Sequence, residues 1–189
     1  MTRVISQLLL AVLTVSMLVA GEGKKKVADF TLEDCNGVKH TLSDYRSSKA
    51  IVLMFIATKC PVSNAYNTRM AELQKDYASK GVTFIGINSN KQENAEEVKN
   101  HAKEHGFEFP ILKDWNNVIA DKLEASVTPE IYVLNSGLDV LYHGRIDDSQ
   151  RENRVSSKDL RAALDRILSG KAVEVEVTKA FGCSIKRVQ

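Results

Sequence analysis

The chain has 189 residues, of which 43% are hydrophobic and 26% are charged. These values are typical of a single soluble globular domain and argue against a disordered chain. The formal net charge is +2, and it falls to +1 for a chain that starts at Glu22, because Arg3 is the only charged residue before it. Because the positive and negative charges are nearly balanced, the composition favours neither nucleic acid nor an anionic membrane surface as a partner.

The first 21 residues have the pattern of a signal peptide. Arg3 precedes an apolar run at residues 8–20, and the small residues Ala20 and Gly21 are followed by the polar segment GEGKKK. An apolar run of this length makes about 20 Å of helix, which is shorter than the hydrocarbon core of a bilayer, so an uncleaved anchor is the less favoured alternative. We therefore expect an exported protein, periplasmic or secreted. Its single domain would cover residues 22–189, with a tail from about residue 170 onward.

From residue 28 onward, strand-like and helix-like segments alternate. Asn36-Gly37 separates two short strand-like stretches and predicts an N-terminal β-hairpin. Strands are then predicted at residues 50–56, 82–87, 109–112, 131–134 and 140–144, and helices at residues 61–79, 94–105, 118–123 and 158–168. This order predicts an α/β fold with a mixed central sheet flanked by helices.

The cysteines are Cys35, Cys60 and Cys183. Outside the cytosol a disulfide can persist, and an odd number leaves at least one thiol unpaired or paired between molecules. His101 and His105 are four residues apart on a predicted helix, but they have no acidic or cysteine partner nearby, so a solvated helix face is the favoured interpretation. We expect no metal and no cofactor.

Cys60 is the candidate nucleophile. It follows a buried strand and precedes a predicted helix, where free backbone N–H groups favour a thiolate. Pro61 suits the first helical turn. Lys59 is an adjacent cation, and the hydroxyls of Thr58 and Ser63 are candidate donors to the sulfur. The competing interpretation is an inert core cysteine.

Four segments together resemble the redoxin (alkyl hydroperoxide reductase/thiol-specific antioxidant) family, and within it a peroxiredoxin-like group with the thioredoxin fold. They are Cys60-Pro61, TPEIYVL from Thr128, YHGRIDD from Tyr142 and FGCSIK from Phe181. The resemblance implies that Cys60 is the attacking thiol and that Pro129 is a cis-proline beside it. It also implies that the Thr128 backbone pairs with an extended substrate, with Pro61 on the same side.

The chain departs from that family's patterns at two positions. Ser63 stands where a thioredoxin-type reductase has its second cysteine, and Ala57 stands where a typical peroxidatic site has a threonine, with Thr58 one place later. The arginine that would steady the thiolate is either Arg145 or Arg69, and spacing does not choose between them.

A second thiol is needed to resolve an oxidised Cys60. Cys183 is the first candidate, since it lies in a tail beyond the last helix, next to Gly182, and an unpaired thiol there is the alternative. Cys35, in the predicted hairpin turn, is expected to be incidental. A bridge from Cys60 to Cys183 requires Cα atoms within about 7 Å of each other.

These features predict an exported thiol-dependent oxidoreductase with antioxidant or thiol-disulfide exchange activity. Its substrate would be a peroxide or a protein disulfide, and an external thiol would be the reductant. The alternative is a non-catalytic thioredoxin-fold module that binds a partner protein or a metal. Copper is disfavoured because Asn64 stands where copper-delivery relatives have a second cysteine.

Overall fold

The computed structural model describes residues 24–188. The predicted signal peptide, residues 1–21, lies outside the described residues. Within residues 24–188, no helix is both long enough and apolar enough to cross a bilayer.

A five-stranded mixed sheet forms the centre of the domain. Its strands are β3 (Ala50–Phe55), β4 (Val82–Asn88), β5 (Ile111–Lys113), β7 (Glu130–Leu134) and β8 (Val140–Gly144). Their spatial order is β5-β4-β3-β7-β8. Strands β3, β4 and β5 run parallel, whereas β7 pairs antiparallel with both β3 and β8. The predicted mixed sheet is confirmed.

The central strand β3 is buried on both faces, as its continuous apolar sequence predicts. Side chains alternate between two core clusters along the strand. Val52 and Met54 belong to one cluster, and Ile51, Leu53 and Phe55 belong to the other. Burial on both sides fixes the position of the end of β3, which is where the chain turns toward Cys60.

Helices cover the sheet, and a short hairpin precedes it. The helices are α1 (Pro61–Asn64), α2 (Asn67–Tyr77), α3 (Ala95–Glu104), α4 (Val118–Leu123) and α5 (Asp159–Leu168). The hairpin pairs β1 (Thr31–Glu33) with β2 (Lys39–Thr41), as Asn36-Gly37 predicts. This is the thioredoxin-like topology with an added N-terminal hairpin that the family resemblance implies.

The prediction of one continuous helix over residues 61–79 is wrong. The first turn ends at Asn64, and the second helix begins at Asn67. The N–H of Tyr66 donates to the carbonyl of Ser63 rather than to that of Val62. This shorter i→i−3 bond tightens the turn and closes α1 after four residues.

The C-terminal tail, which sequence patterns left unassigned, returns to the sheet. Its first part runs along β8, where the N–H of His143 donates to Glu176 and the N–H of Thr178 donates to His143. Its second part contains β9 (Cys183–Ser184), which pairs antiparallel with β6 (Val127–Thr128). The tail therefore brings Cys183 beside β6, the short strand that precedes β7, in a two-stranded sheet separate from the central one.

Truncation of Met54 to alanine tests the role of β3. Met54 is fully buried, so we expect Met54→Ala to lower the free energy of unfolding by about 2–5 kcal/mol, as for other large-to-small core changes. Urea denaturation measures the change. The matched control, Val38→Ala at an exposed position, should change it by less than about 0.5 kcal/mol. Equal effects of the two variants would contradict this description of the core.

Candidate active site

Cys60 is the N-cap residue of α1. Its backbone is extended, with φ −91° and ψ 116°, and the N–H of Ser63 donates to its sulfur at 3.2 Å. The hydroxyl oxygen of Ser63 accepts the N–H of Ala57 at 3.2 Å, and within residues 24–188 the structure shows no hydrogen bond from this hydroxyl to the sulfur. Since α1 has only one turn, its dipole is small, and the direct N–H bond is the main stabilising contact that this turn offers a thiolate.

Cys60 and Cys183 form a disulfide across 123 residues of sequence, with their Cα atoms 5.9 Å apart. The strand register explains why the two cysteines are close together. Cys183 pairs directly with Thr128, and the carbonyl oxygen of Thr128 lies 3.4 Å from the sulfur of Cys60. In the disulfide this sulfur carries no hydrogen, so the approach is a contact; in the reduced protein the thiol can donate there. The distance requirement for the predicted bridge is met.

The segment before β7 forms the opposite wall of the site. The Thr128–Pro129 peptide bond is cis, as the family resemblance implies. Glu130 follows, and its carboxylate accepts the N–H groups of Ser126 and Val127 at 2.8 and 3.1 Å. Burial alone would raise the pKa of Glu130, but these bonds and one from His143 at 2.7 Å hold the pKa below its ordinary value. The carboxylate thus fixes β6 beside the sulfur.

The loop before Cys60 is held by a carboxylate that sequence reasoning missed. Glu93 is 2% exposed. Its oxygens accept the N–H groups of Thr58 at 2.8 Å and Lys59 at 3.0 Å. The side-chain amides of Asn88 and Asn90 also donate to it, at 2.5 and 3.3 Å. Both backbone donors of the Thr58–Lys59 turn are therefore satisfied by one buried side chain.

A buried lysine completes this network. Lys113 is 2% exposed, and its ammonium donates to Asn88 Oδ1 at 2.6 Å and to the carbonyl of Glu93 at 2.7 Å. Burial lowers the pKa of Lys113 to about 8, against the opposing effects of Glu93 and Asp114. The amide side chain of Asn90 reaches from the network to the tail, where its oxygen accepts the N–H of Lys186 at 2.7 Å.

Other predicted residues occupy different places. The hydroxyl of Thr58 is buried and has no hydrogen-bond partner among residues 24–188. Arg145 forms an ion pair with Asp159 at 2.8 Å, and Arg69 forms one with Asp147 at 2.6 Å. Both predicted arginines are thus engaged by carboxylates, and the structure shows no contact from either to the sulfur of Cys60 in the described part of the chain.

Cys35 is half-buried and unpaired in the structure. Burial raises the pKa of its thiol, and the neighbouring Asp34 raises it further. Cys35 is therefore a poorer nucleophile than Cys60, whose sulfur receives an N–H bond. Within residues 24–188, no cluster of three or more His, Cys, Asp or Glu side chains is arranged to hold a metal ion.

The fold and site together define a thioredoxin-fold protein with a cysteine pair at the end of its central strand. The sequence profile of the AhpC/TSA family matches residues 24–143. The chain belongs to the AhpC/TSA family.

Solved structures extend the similarity to most of the chain. A hypothetical protein of Sinorhizobium meliloti 1021 superimposes with a TM-score of 0.82 at 33% identity, covering 89% of this chain and 96% of its own. An uncharacterised conserved protein of Geobacillus kaustophilus gives a TM-score of 0.81 at 35% identity, covering 87% of this chain and 92% of its own.

Among curated proteins, thiol-disulfide oxidoreductase ResA of Bacillus subtilis is 29% identical over 119 residues, which are 60% of this chain and 65% of ResA. The chain therefore spans less than two thirds of the length of that relative.

Replacement of Glu93 by glutamine tests its role in the loop. A glutamine side chain has one acceptor oxygen, so one of the two backbone N–H groups would face an amide donor. A lost bond to a buried donor costs about 1–3 kcal/mol. We expect the equilibrium constant for forming the Cys60–Cys183 disulfide, measured against glutathione, to fall about tenfold.

Glu97→Gln is the matched control. Glu97 is a half-exposed neighbour that bonds Lys59 through its side chain, and its replacement should leave the constant within about twofold. Equal effects at the two positions would show that Glu93 does not position the loop.

The lowered pKa of Lys113 leads us to expect a specific dependence of the free energy of unfolding on pH. Its pKa in the folded protein, about 8, lies below the ordinary value of 10.5. Between these values the unfolded chain binds a proton that the folded protein does not, so this group makes stability rise with pH. Relative to Lys113→Met, the wild-type free energy of unfolding should increase by roughly 3 kcal/mol at most from pH 7 to pH 10.5. Urea titrations across this range measure the difference, and a difference independent of pH would contradict the assignment.

Proposed function

We propose that the protein is a thiol-dependent oxidoreductase that alternates between a Cys60/Cys183 dithiol and the Cys60–Cys183 disulfide. The observation that carries the proposal is the disulfide between two cysteines 123 residues apart, at a sulfur that receives a backbone N–H bond. A structural bridge needs no such donor, whereas a thiolate is stabilised by it.

The chemistry follows from the two sulfurs. The Cys60 thiolate attacks the terminal oxygen of a hydroperoxide, the O–O bond breaks, and an alcohol or water leaves with a proton, so that Cys60 becomes a sulfenic acid. The Cys183 thiolate then attacks the Cys60 sulfur, the S–S bond forms and water leaves. With a disulfide as oxidant, the Cys60 thiolate forms a mixed disulfide and releases one thiolate of the substrate; the Cys183 thiolate then attacks the Cys60 sulfur and releases the second substrate thiolate. Two equivalents of an external thiol regenerate the dithiol.

The neighbouring groups receive roles in this proposal. The carbonyl oxygen of Thr128 lies 3.4 Å from the Cys60 sulfur, and Pro129 follows Thr128 through a cis peptide bond. The exposed Pro61 is next to Cys60 in sequence. These residues would bound the approach of the oxidant. The buried hydroxyl of Thr58 has no partner in the described structure, and it is a candidate donor to the oxidant once the disulfide opens. Arg145 would have to leave Asp159 before it could act on an anion.

We further propose that the protein is exported, with residues 1–21 as its signal peptide and residues 22–189 as the working domain. The charged, apolar and small-residue order of the first 21 residues supports this. An oxidising compartment would also allow the Cys60–Cys183 disulfide to persist between turnovers. Similarity to a thiol-disulfide oxidoreductase, ResA, supports thiol chemistry of this type.

Single-cysteine variants test the proposal. Wild-type protein should consume hydrogen peroxide or reduce insulin in the presence of dithiothreitol, and Cys60→Ser should abolish both activities because it removes the attacking sulfur. Cys35→Ser is the matched control and should retain full activity, since that thiol is unpaired and has a raised pKa. In Cys183→Ser, the oxidant should still consume one Cys60 thiol per molecule, because the first step does not need Cys183. Equal activity of wild type and Cys60→Ser would refute the proposed enzyme.

A further inference from the structure

We infer that residues 181–188, here called the tail strand, stay docked beside Cys60 in both redox states and restrict its oxidants to small molecules. The inference rests on the proposed nucleophilic role of Cys60 and names the substrate class of that site. It places small oxidants such as hydroperoxides ahead of the disulfides of folded proteins.

The tail strand occupies the backbone edge that a polypeptide substrate would need. Val127 and Thr128 pair with Ser184 and Cys183, and the N–H of Ile185 donates to the carbonyl of Ser126 at 3.0 Å. An open strand edge binds an incoming extended chain through these same main-chain groups. Because the tail strand already uses them, a protein disulfide cannot pair at this edge until the tail strand leaves.

Contacts remote from the sulfur hold the tail strand, so they remain when the disulfide is reduced. The backbone of Lys186 is bonded at both ends, with its N–H donating to Asn90 Oδ1 at 2.7 Å and its carbonyl accepting from Lys91 at 2.9 Å. The N–H of Val188 donates to Asn117 Oδ1 at 2.7 Å. Both asparagine side chains are buried in the body of the domain.

Side chains of the tail strand add to this attachment. Ile185 is 7% exposed and belongs to the core cluster that also contains Leu53 and Phe55. Arg187 donates to the carbonyl of Ala125 at 2.8 Å and forms an ion pair with Asp121 at 2.9 Å. Burial of an aliphatic side chain does not depend on the oxidation state of a cysteine two residues away. The tail strand is therefore attached as part of the domain core.

The first residues of the tail strand close the gap beside the site. A Cβ atom added to Gly182 would overlap the carbonyl group of Thr128, so only glycine permits this approach of the two strands. Phe181 packs edge-to-face on Tyr66, with ring centroids 6.2 Å apart. With this cover in place, Cys60 is 4% exposed. A small oxidant needs only an opening to the sulfur, whereas a protein disulfide also needs a strand edge or a wide surface.

Rates of the first oxidation step test the inference. The full-length protein is reduced, the reductant is removed, and loss of the Cys60 thiol is followed with hydrogen peroxide and, separately, with insulin. In Ile185→Ala/Arg187→Ala the tail strand is loosened without any change at the site. We expect the rate with insulin to rise at least tenfold in this variant, while the rate with peroxide stays within twofold of wild type.

Lys186→Ala is the matched control, because the contacts of Lys186 shown by the structure are made by its backbone; it should leave both rates unchanged. Gly182→Ala is a second releasing variant, which acts by overlap with Thr128 instead of by lost core contacts. Unchanged insulin rates in both releasing variants, with normal circular dichroism, would overturn the inference. Oxidation of wild-type Cys60 by insulin but not by peroxide would also overturn it. Failure of both peroxide and insulin to oxidise Cys60 in every protein would instead overturn the proposed function.

Hydrogen exchange on the reduced wild-type protein gives an independent reading. The amide hydrogens of Ile185 and Lys186 donate to Ser126 and Asn90, so they should exchange at least tenfold more slowly than in the free peptide KAFGCSIKRVQ. Exchange as fast as in the peptide would show that reduction releases the tail strand, and the inference would be wrong.

Discussion

The bond from the Ser63 N–H to the Cys60 sulfur, at 3.2 Å, is the interaction on which the proposed chemistry depends. The helix that supplies it has a single turn, so little help comes from an extended helix dipole, and the orientation of one amide matters correspondingly more. That orientation is set by the end of the buried strand before Cys60 and by the Ser63 hydroxyl, which receives the N–H of Ala57. The sulfur is buried, but it is within reach of an amide hydrogen.

The two cysteines meet because separate polar anchors hold the segments that carry them. Glu93 satisfies the backbone before Cys60, Glu130 satisfies the backbone of the strand opposite, and Asn90 binds the tail. Each anchor is buried, and a buried polar group stabilises the fold only when its hydrogen bonds are made. Lys113 shows the cost of this arrangement, because burial lowers its pKa to about 8. The segments that carry the two cysteines are therefore held by buried hydrogen bonds.

Local patterns in the sequence were sufficient for the mixed sheet and the order of its elements along the chain, because the apolar run that ends at Phe55 and the turn at Asn36-Gly37 determine structure within a few residues. The spatial order of the strands was not predicted. The placement of Cys60 between a buried strand and a predicted helix singled it out, the resemblance added the cis peptide before Pro129, and Cys183 was the favoured partner. Periodicity missed the break after Asn64, since a single i→i−3 bond leaves no mark on an apolar pattern. It also missed Glu93, whose position in a polar segment resembles that of a solvated carboxylate; its burial arises from contacts 34 and 35 residues away. The pairing of Cys183 with Thr128 joins residues that are even farther apart in sequence, and no local sequence pattern predicts it.

The pKa of the Cys60 thiol in the reduced protein tests the central claim most directly. Alkylation by iodoacetamide is measured against pH and resolved by mass spectrometry of the Cys60 and Cys35 peptides, so that Cys35 serves as the internal reference. The account predicts half-maximal reactivity of Cys60 below the free-cysteine value of about 8.5, and of Cys35 above it. A Cys60 titration at or above the free value would contradict the claim that this site holds a stabilised thiolate.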